Sequence, residues 1–188
     1  MKRRSFTTYQ LALIALMTAF LCILGPFTLA IPFSPIPLSL ANLAVSLTAV
    51  ILGQKAGVLA CLLYLLMGLT GLPVFSGFTG GFGKLLGPTG GYLTGYLFLA
   101  IAGGWFAERF PGVGTKERIG LLGGLLLGML LLYAFGTAWF SYTADSDFAA
   151  ALAVGVWPFL PGDLLKMGLV VWIGPQIRGR LMRTGLLD

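Results

Sequence analysis

The chain has 188 residues, is 57% hydrophobic and only 10% charged, and has a mean hydropathy of +0.94, whereas soluble domains carry about 25% charged residues. One soluble core of this size cannot hide that much apolar surface, so the composition predicts a polytopic membrane protein. The formal charge of +6, with no histidine and two cysteines, is then a matter of membrane topology rather than of nucleic acid, and His-based catalysis is excluded.

Met1-Lys-Arg-Arg4 followed by an apolar run from Leu11 to Leu24 has the shape of a signal peptide. More hydrophobic segments follow, and the run continues through Gly25-Pro26 to Ile31 without a persuasive cleavage site. It is read as a retained first transmembrane helix. Pro32, Pro35 and Pro37 then break helix and predict a loop. Ser39 is a plausible N-cap for a second, short helix ending at Leu52. A turn at Gly53–Gly57 leads to a third helix over about Ala56–Leu72, stopped by Pro73.

Pro73 to Gly91 is rich in glycine and carries Phe75, Phe78, Phe82 and Lys84. It is too broken to span as helix, and irregular backbone near a bilayer must be buried in protein or line a wet cavity. A fourth helix is predicted over about Tyr92–Phe106, a polar connection over Glu108–Arg118, and a fifth helix over Ile119–Phe140. Gly124-x-x-x-Gly128 in the fifth permits close packing. A short apolar piece, Ala149–Trp157, precedes a sixth helix from Pro161 or Asp163 to Ile177.

Six spans place Lys2, Arg3, Arg4, Lys55, Arg109, Lys116, Arg118, Arg178, Arg180 and Arg183 on the side of both termini, which is ten of the twelve basic residues. That segregation makes this side cytoplasmic, and five or seven spans would scramble it. The expected fold is therefore an all-α integral membrane protein of six transmembrane helices with both termini cytoplasmic. Residues 1–188 are expected to form one domain, with the Gly-rich loop on the outer side.

Asp163 and Lys166 are three residues apart and share a helix face. An ionisable pair at membrane depth is costly and normally functional. Asp163 read alone is also a good N-cap, but that role leaves Lys166 unexplained. Together they offer an acceptor and a multiple donor to a neutral ligand with N–H and C=O groups, such as a cyclic urea or amide. The glycine-aromatic loop suits a lid over an apolar ligand body. It has neither a P-loop nor a dinucleotide fingerprint. Lys84 is either an ordinary loop lysine or a partner for a ligand carboxylate. Tyr92 and Tyr96 read first as interfacial residues and second as pocket lining. Asn42 either bonds backbone across the bundle or serves the site. Ala12, Ala15 and Ala19 form a small-residue stripe, for internal packing or for docking another membrane subunit. No metal cluster or plausible pair of catalytic carboxylates is visible, which disfavours an intramembrane enzyme. No cofactor is indicated.

Gly71-Leu-Pro-Val-Phe-Ser76, Gly87-Pro-Thr-Gly-Gly-Tyr92 and Pro158-Phe-Leu-Pro-Gly-Asp-Leu-Leu-Lys166, in this order, resemble the BioY family, the biotin-binding S components of energy-coupling factor (ECF) transporters. The likeness covers essentially the whole chain, including Pro35-Ile-Pro37 before the second helix. It implies a non-enzymatic, multi-pass protein of a bacterial or archaeal cell membrane that captures biotin from outside. Its implied partners are a transmembrane coupling subunit (T) and cytoplasmic ATPase subunits. By the same resemblance Asp163 and Lys166 are the binding pair for the ureido head, the loop after Pro73 is the lid, and Ala15 and Ala19 contact the coupling subunit. The expected binding set is Asp163, Lys166, Phe75, Phe78, Thr79, Lys84, Tyr92 and Asn42. Where the family often has glutamine this chain has Ala41, so a polar contact from the second helix is either missing or made by Asn42. The rival reading is a stand-alone or ion-coupled vitamin carrier.

Overall fold

The computed structural model describes residues 6–31 and 34–187. Lys2, Arg3, Arg4 and Pro32, used above for topology and for the loop, lie outside the described residues. Eight helices and one two-stranded ribbon make up the described fold: α1 (Thr8–Leu24), β1 (Thr28–Ile31), β2 (Ser34–Ser39), α2 (Ala41–Leu52), α3 (Gln54–Leu69), α4 (Phe82–Leu86), α5 (Gly90–Arg109), α6 (Thr115–Thr143), α7 (Phe148–Gly155) and α8 (Leu160–Arg183). Of these only α6 meets the length and apolarity of an unaided span. α7 and α8 meet them together across a 54° bend.

The first helix is shorter than its apolar run. A capping box at Thr7 and Gln10 opens α1, and it ends at Gly25-Pro26. The proline-marked segment is a ribbon rather than a plain loop. β1 and β2 pair antiparallel, with Thr28 opposite Ser39 and a shift in register between Leu29 and Ile31. A two-stranded ribbon has only edge strands, where a proline's missing N–H is tolerated. Ser39 caps α2 in a modified way. Its Oγ accepts the Ala41 N–H at 3.0 Å, while Leu40 occupies the cap position.

One residue, Gly53, separates α2 from α3. Its φ of +86° and ψ of −178° are open essentially to glycine alone. The corner is held on both sides. The Glu108 carboxylate accepts the Gln54 N–H at 2.9 Å, and the Arg178 guanidinium donates to the Ile51 carbonyl at 2.9 Å. Each contact satisfies a backbone group that a helix end leaves orphaned. α5 packs against α6, α2 and α3. The Gly124/Gly128 face of α6 meets it so closely that a β-carbon at Gly128 would lie 2.9 Å from the Leu99 backbone. The core thus centres on α2, α3, α5 and α6, with Val45, Val50, Tyr64, Leu99, Leu121 and Leu125 fully buried.

A candidate ligand site around Asp163 and Lys166

α8 begins earlier and ends later than expected. Phe159 is its N-cap and Asp163 already lies within the first turn, its N–H bonded to the Phe159 carbonyl at 2.9 Å. The N-cap reading of Asp163 is therefore corrected. Its carboxylate turns instead into the bundle, where the residue is buried at 4% exposure. Three residues on, Lys166 comes back alongside it, and Nζ and Oδ1 are 2.9 Å apart.

Two other helices complete the network. From the first turn of α2, Asn42 donates through Nδ2 to the same Asp163 oxygen at 2.7 Å and accepts from Lys166 Nζ at 3.1 Å. The third Lys166 proton goes to the Ser39 carbonyl at 2.7 Å. From the middle of α6, the Tyr133 hydroxyl donates to Asp163 Oδ2. All three ammonium protons have acceptors, and both carboxylate oxygens have donors. That completeness is what allows charge to sit in an apolar bundle at all, since an unpaired charge there is far costlier than a paired one. Such a cluster can hydrogen-bond a ligand's N–H groups at the spare lone pairs of the carboxylate, and a ligand C=O by exchange for one of the present acceptors.

The remaining expected residues are distributed otherwise. Phe75 is fully buried and sits edge-on to Tyr64, with ring centroids 5.6 Å apart. Its ring lies directly over Gly68, where a β-carbon would come within 2.0 Å of it. Phe78 is 61% exposed at φ +56° and meets Phe27 edge-on at 5.5 Å. Thr79 pairs backbone with Phe75 and bonds the Ser76 carbonyl through its hydroxyl at 2.9 Å. Lys84 is half-buried in α4. Tyr92 spans α5 to α6 and α7 through Thr137 Oγ1 and the Gly155 carbonyl, both at 3.3 Å. Among the described residues no hydrogen bond or ion pair joins Phe75, Phe78, Thr79, Lys84 or Tyr92 to the Asp163 network. Tyr96 is buried, so it is not an interfacial residue.

The loop carrying the two phenylalanines is sewn to the bundle end. The Tyr64 hydroxyl donates to the Val74 carbonyl at 3.1 Å, Gly77 N–H to Pro26 at 3.0 Å and Gly81 N–H to Gly68 at 2.7 Å. On α1, Ile14, Thr18 and Leu21 face inward while Ala12, Ala15 and Ala19 are exposed. Internal packing is thus excluded for the alanine stripe. Tyr133 and the Ser39 carbonyl were not legible as site groups. A tyrosine amid the leucines and glycines of α6 offered one signal, a hydroxyl within an apolar span.

A helical bundle of this composition, with a buried and internally satisfied polar cluster, defines a membrane protein. The chain belongs to the BioY family, whose model matches residues 1–183. It is 37% identical over 176 residues to the biotin transporter BioY2 of Lactococcus lactis, covering 94% of this chain and 93% of that protein. It is also 34% identical to the biotin transporter BioY of Rhizobium etli, covering 91% and 94%. Among solved structures, the crystal structure of the S-component for biotin from an ECF-type ABC transporter superposes with a TM-score of 0.83 at 31% identity. That match covers 93% of this chain and 95% of the other. These relatives are named for transport rather than catalysis.

Proposed function

We propose that this chain captures biotin at the outer face of a cell membrane, as the S component of an ECF-type importer. The observation that carries the reading is the Asp163–Lys166–Asn42–Tyr133 network, in a family whose members are named biotin transporters. A ureido head presents two N–H donors and one carbonyl. Asp163 accepts from the first kind, and Lys166, Asn42 and Tyr133 donate to the second. The charges need no ligand to stay compensated, so the bundle is stable while it waits for one.

In this reading residues 1–188 form a single transmembrane binding domain. α1, α2, α3, α5, α6 and α8 are the six crossings and both termini are cytoplasmic. Contacts at the two ends support it. Gln54, Glu108 and Arg178 gather the α2–α3 corner, the end of α5 and the arginine-rich end of α8 at one level. Ser39, Asn42 and Lys166 gather the opposite level. The basic residues then segregate to one side, as the positive-inside rule requires. Phe78, Thr79 and Lys84 belong to a lid that closes on the thioether ring and valerate tail. The exposed Ala15 and Ala19 form the docking stripe for a coupling subunit (T), which links to ATPase subunits.

The test is uptake of labelled biotin into cells lacking other biotin carriers. The chain is expressed alone, with a coupling subunit and ATPases, and with an ATPase inactive in hydrolysis. The proposal expects accumulation that needs functional ATPases. Concentrative uptake by the chain alone would favour an ion-coupled carrier and contradict it.

A further inference from the structure

At the opposite end from Asp163, two adjoining cavities of about 110 and 160 Å³ form one groove between the α5–α6 connection and the end of α8. They share Val113, Pro175, Gly179 and Arg183. The first also has Phe110, Met182 and Arg178 in its wall, and the second has Arg180. Three guanidinium groups therefore meet a mostly apolar trough. Neither of the acids on the α5–α6 side lines it. Glu108 is bonded to the Gln54 N–H and stands beside the Arg178 guanidinium at the Gly53 corner, so it offsets part of that one charge, while Glu117 lies against Gly112 and Gly114.

Arg178 makes this groove more than a charged rim. It is 8% exposed and spends Nη1 on the Val50 and Ile51 carbonyls, yet its Nε is buried with no hydrogen-bond partner among the described residues. The same guanidinium forms part of the groove wall, and guanidinium groups are natural donors to phosphate oxygens. Beside it, Arg180 and Arg183 are exposed, Val113 is 53% exposed and Phe110 stacks on Phe106 with centroids 5.9 Å apart. The connection expected to be polar thus presents an apolar lip, Phe110-Pro-Gly-Val113, with Arg109 on one flank and Lys116 on the other.

We infer that this groove binds the headgroup of an anionic glycerophospholipid. The phosphate sits among Arg178, Arg180 and Arg183, and the upper acyl chain lies along Val113, Pro175 and Met182. A basic pocket between membrane helices, continuous with an apolar lip, matches an amphiphile and not a free anion. The site is separate from the ligand network, so the assignment stands or falls independently of the biotin reading.

Native mass spectrometry of the detergent-purified chain, titrated with phosphatidylglycerol or phosphatidylcholine, tests it. One phosphatidylglycerol is expected to be retained preferentially, with about tenfold weaker retention in R180Q/R183Q. V113W, which fills the groove without changing charge, is expected to abolish the preference. The helical circular-dichroism signal and the thermal unfolding midpoint, measured in parallel, verify that the variants are folded. Equal retention of the two lipids, or a preference unchanged in both variants, would overturn the proposal. Displacement of the lipid by millimolar inorganic phosphate would also overturn it, in favour of a simple anion site.

Discussion

Asp163 and Tyr133 lie on different helices and 30 residues apart, yet the Tyr133 hydroxyl is the donor for the carboxylate oxygen that Lys166 and Asn42 leave free. The aspartate is thereby fixed from three directions. Its position is set by the packing of α2, α6 and α8 together, and not by its place in the α8 helix alone.

Tyr133→Phe removes that donor and little else. A hydrogen bond to a charged group contributes about 1.5–3 kcal/mol, so ligand affinity is expected to fall by at least tenfold. The helical circular-dichroism signal should be unchanged. Equal affinity of Tyr133→Phe and wild type would remove Tyr133 from the site.

The ion pair makes its own stability prediction. Breaking a buried pair from one side costs about 3–5 kcal/mol because the other charge is stranded. Asp163→Asn and Lys166→Met should each lower the unfolding midpoint in detergent, and the double variant should lower it by less than the sum of the two single effects. A coupling above about 1 kcal/mol in the double-mutant cycle is expected. Additive losses would mean the two charges are compensated separately.

Phe75 and Phe78, in the loop after Pro73, should behave as opposites. Phe75→Ala empties a fully buried site between Tyr64 and Gly68 and should cost about 3–5 kcal/mol. Phe78→Ala, on an exposed ring, should change stability by no more than about 0.5 kcal/mol. If Phe78 is a lid ring, the same substitution speeds ligand release, which stopped-flow displacement would read. An unchanged release rate would leave the lid assignment without Phe78.

Gly53→Ala tests the α2–α3 corner. Its backbone conformation strains any side chain by about 1–3 kcal/mol, and the new β-carbon would lie 2.3 Å from the Glu108 carboxylate. A lowered melting temperature with ligand affinity retained is expected from thermal-shift measurements. A neutral result would show that the α2–α3 corner rearranges freely.

The sequence carried unequal amounts of this. A long uninterrupted apolar run marked α6 clearly, and the lone charges in an apolar chain marked Asp163 and Lys166. The end of α8 was lost because Arg178, Arg180 and Arg183 read as a stop. In the structure Arg178 continues the helix, where its side chain reaches back to carbonyls of α2. The ribbon was hidden by Pro35 and Pro37, which argue against most regular structure but not against an edge strand. Phe75 and Phe78 looked equivalent, since neighbouring aromatics in a glycine-rich loop carry no signal of which one turns inward. Tyr133 needed the register of α6 against α8, a tertiary fact that no local pattern contains.

The most direct measurement is calorimetric titration of the detergent-purified chain with biotin, comparing wild type with Asp163→Asn and Lys166→Met, each verified as folded. The account predicts tight one-to-one binding by the wild type and loss of at least a hundredfold in both variants, about 3 kcal/mol or more. Undiminished binding in both variants would contradict the site, and no binding by folded wild type would contradict the ligand.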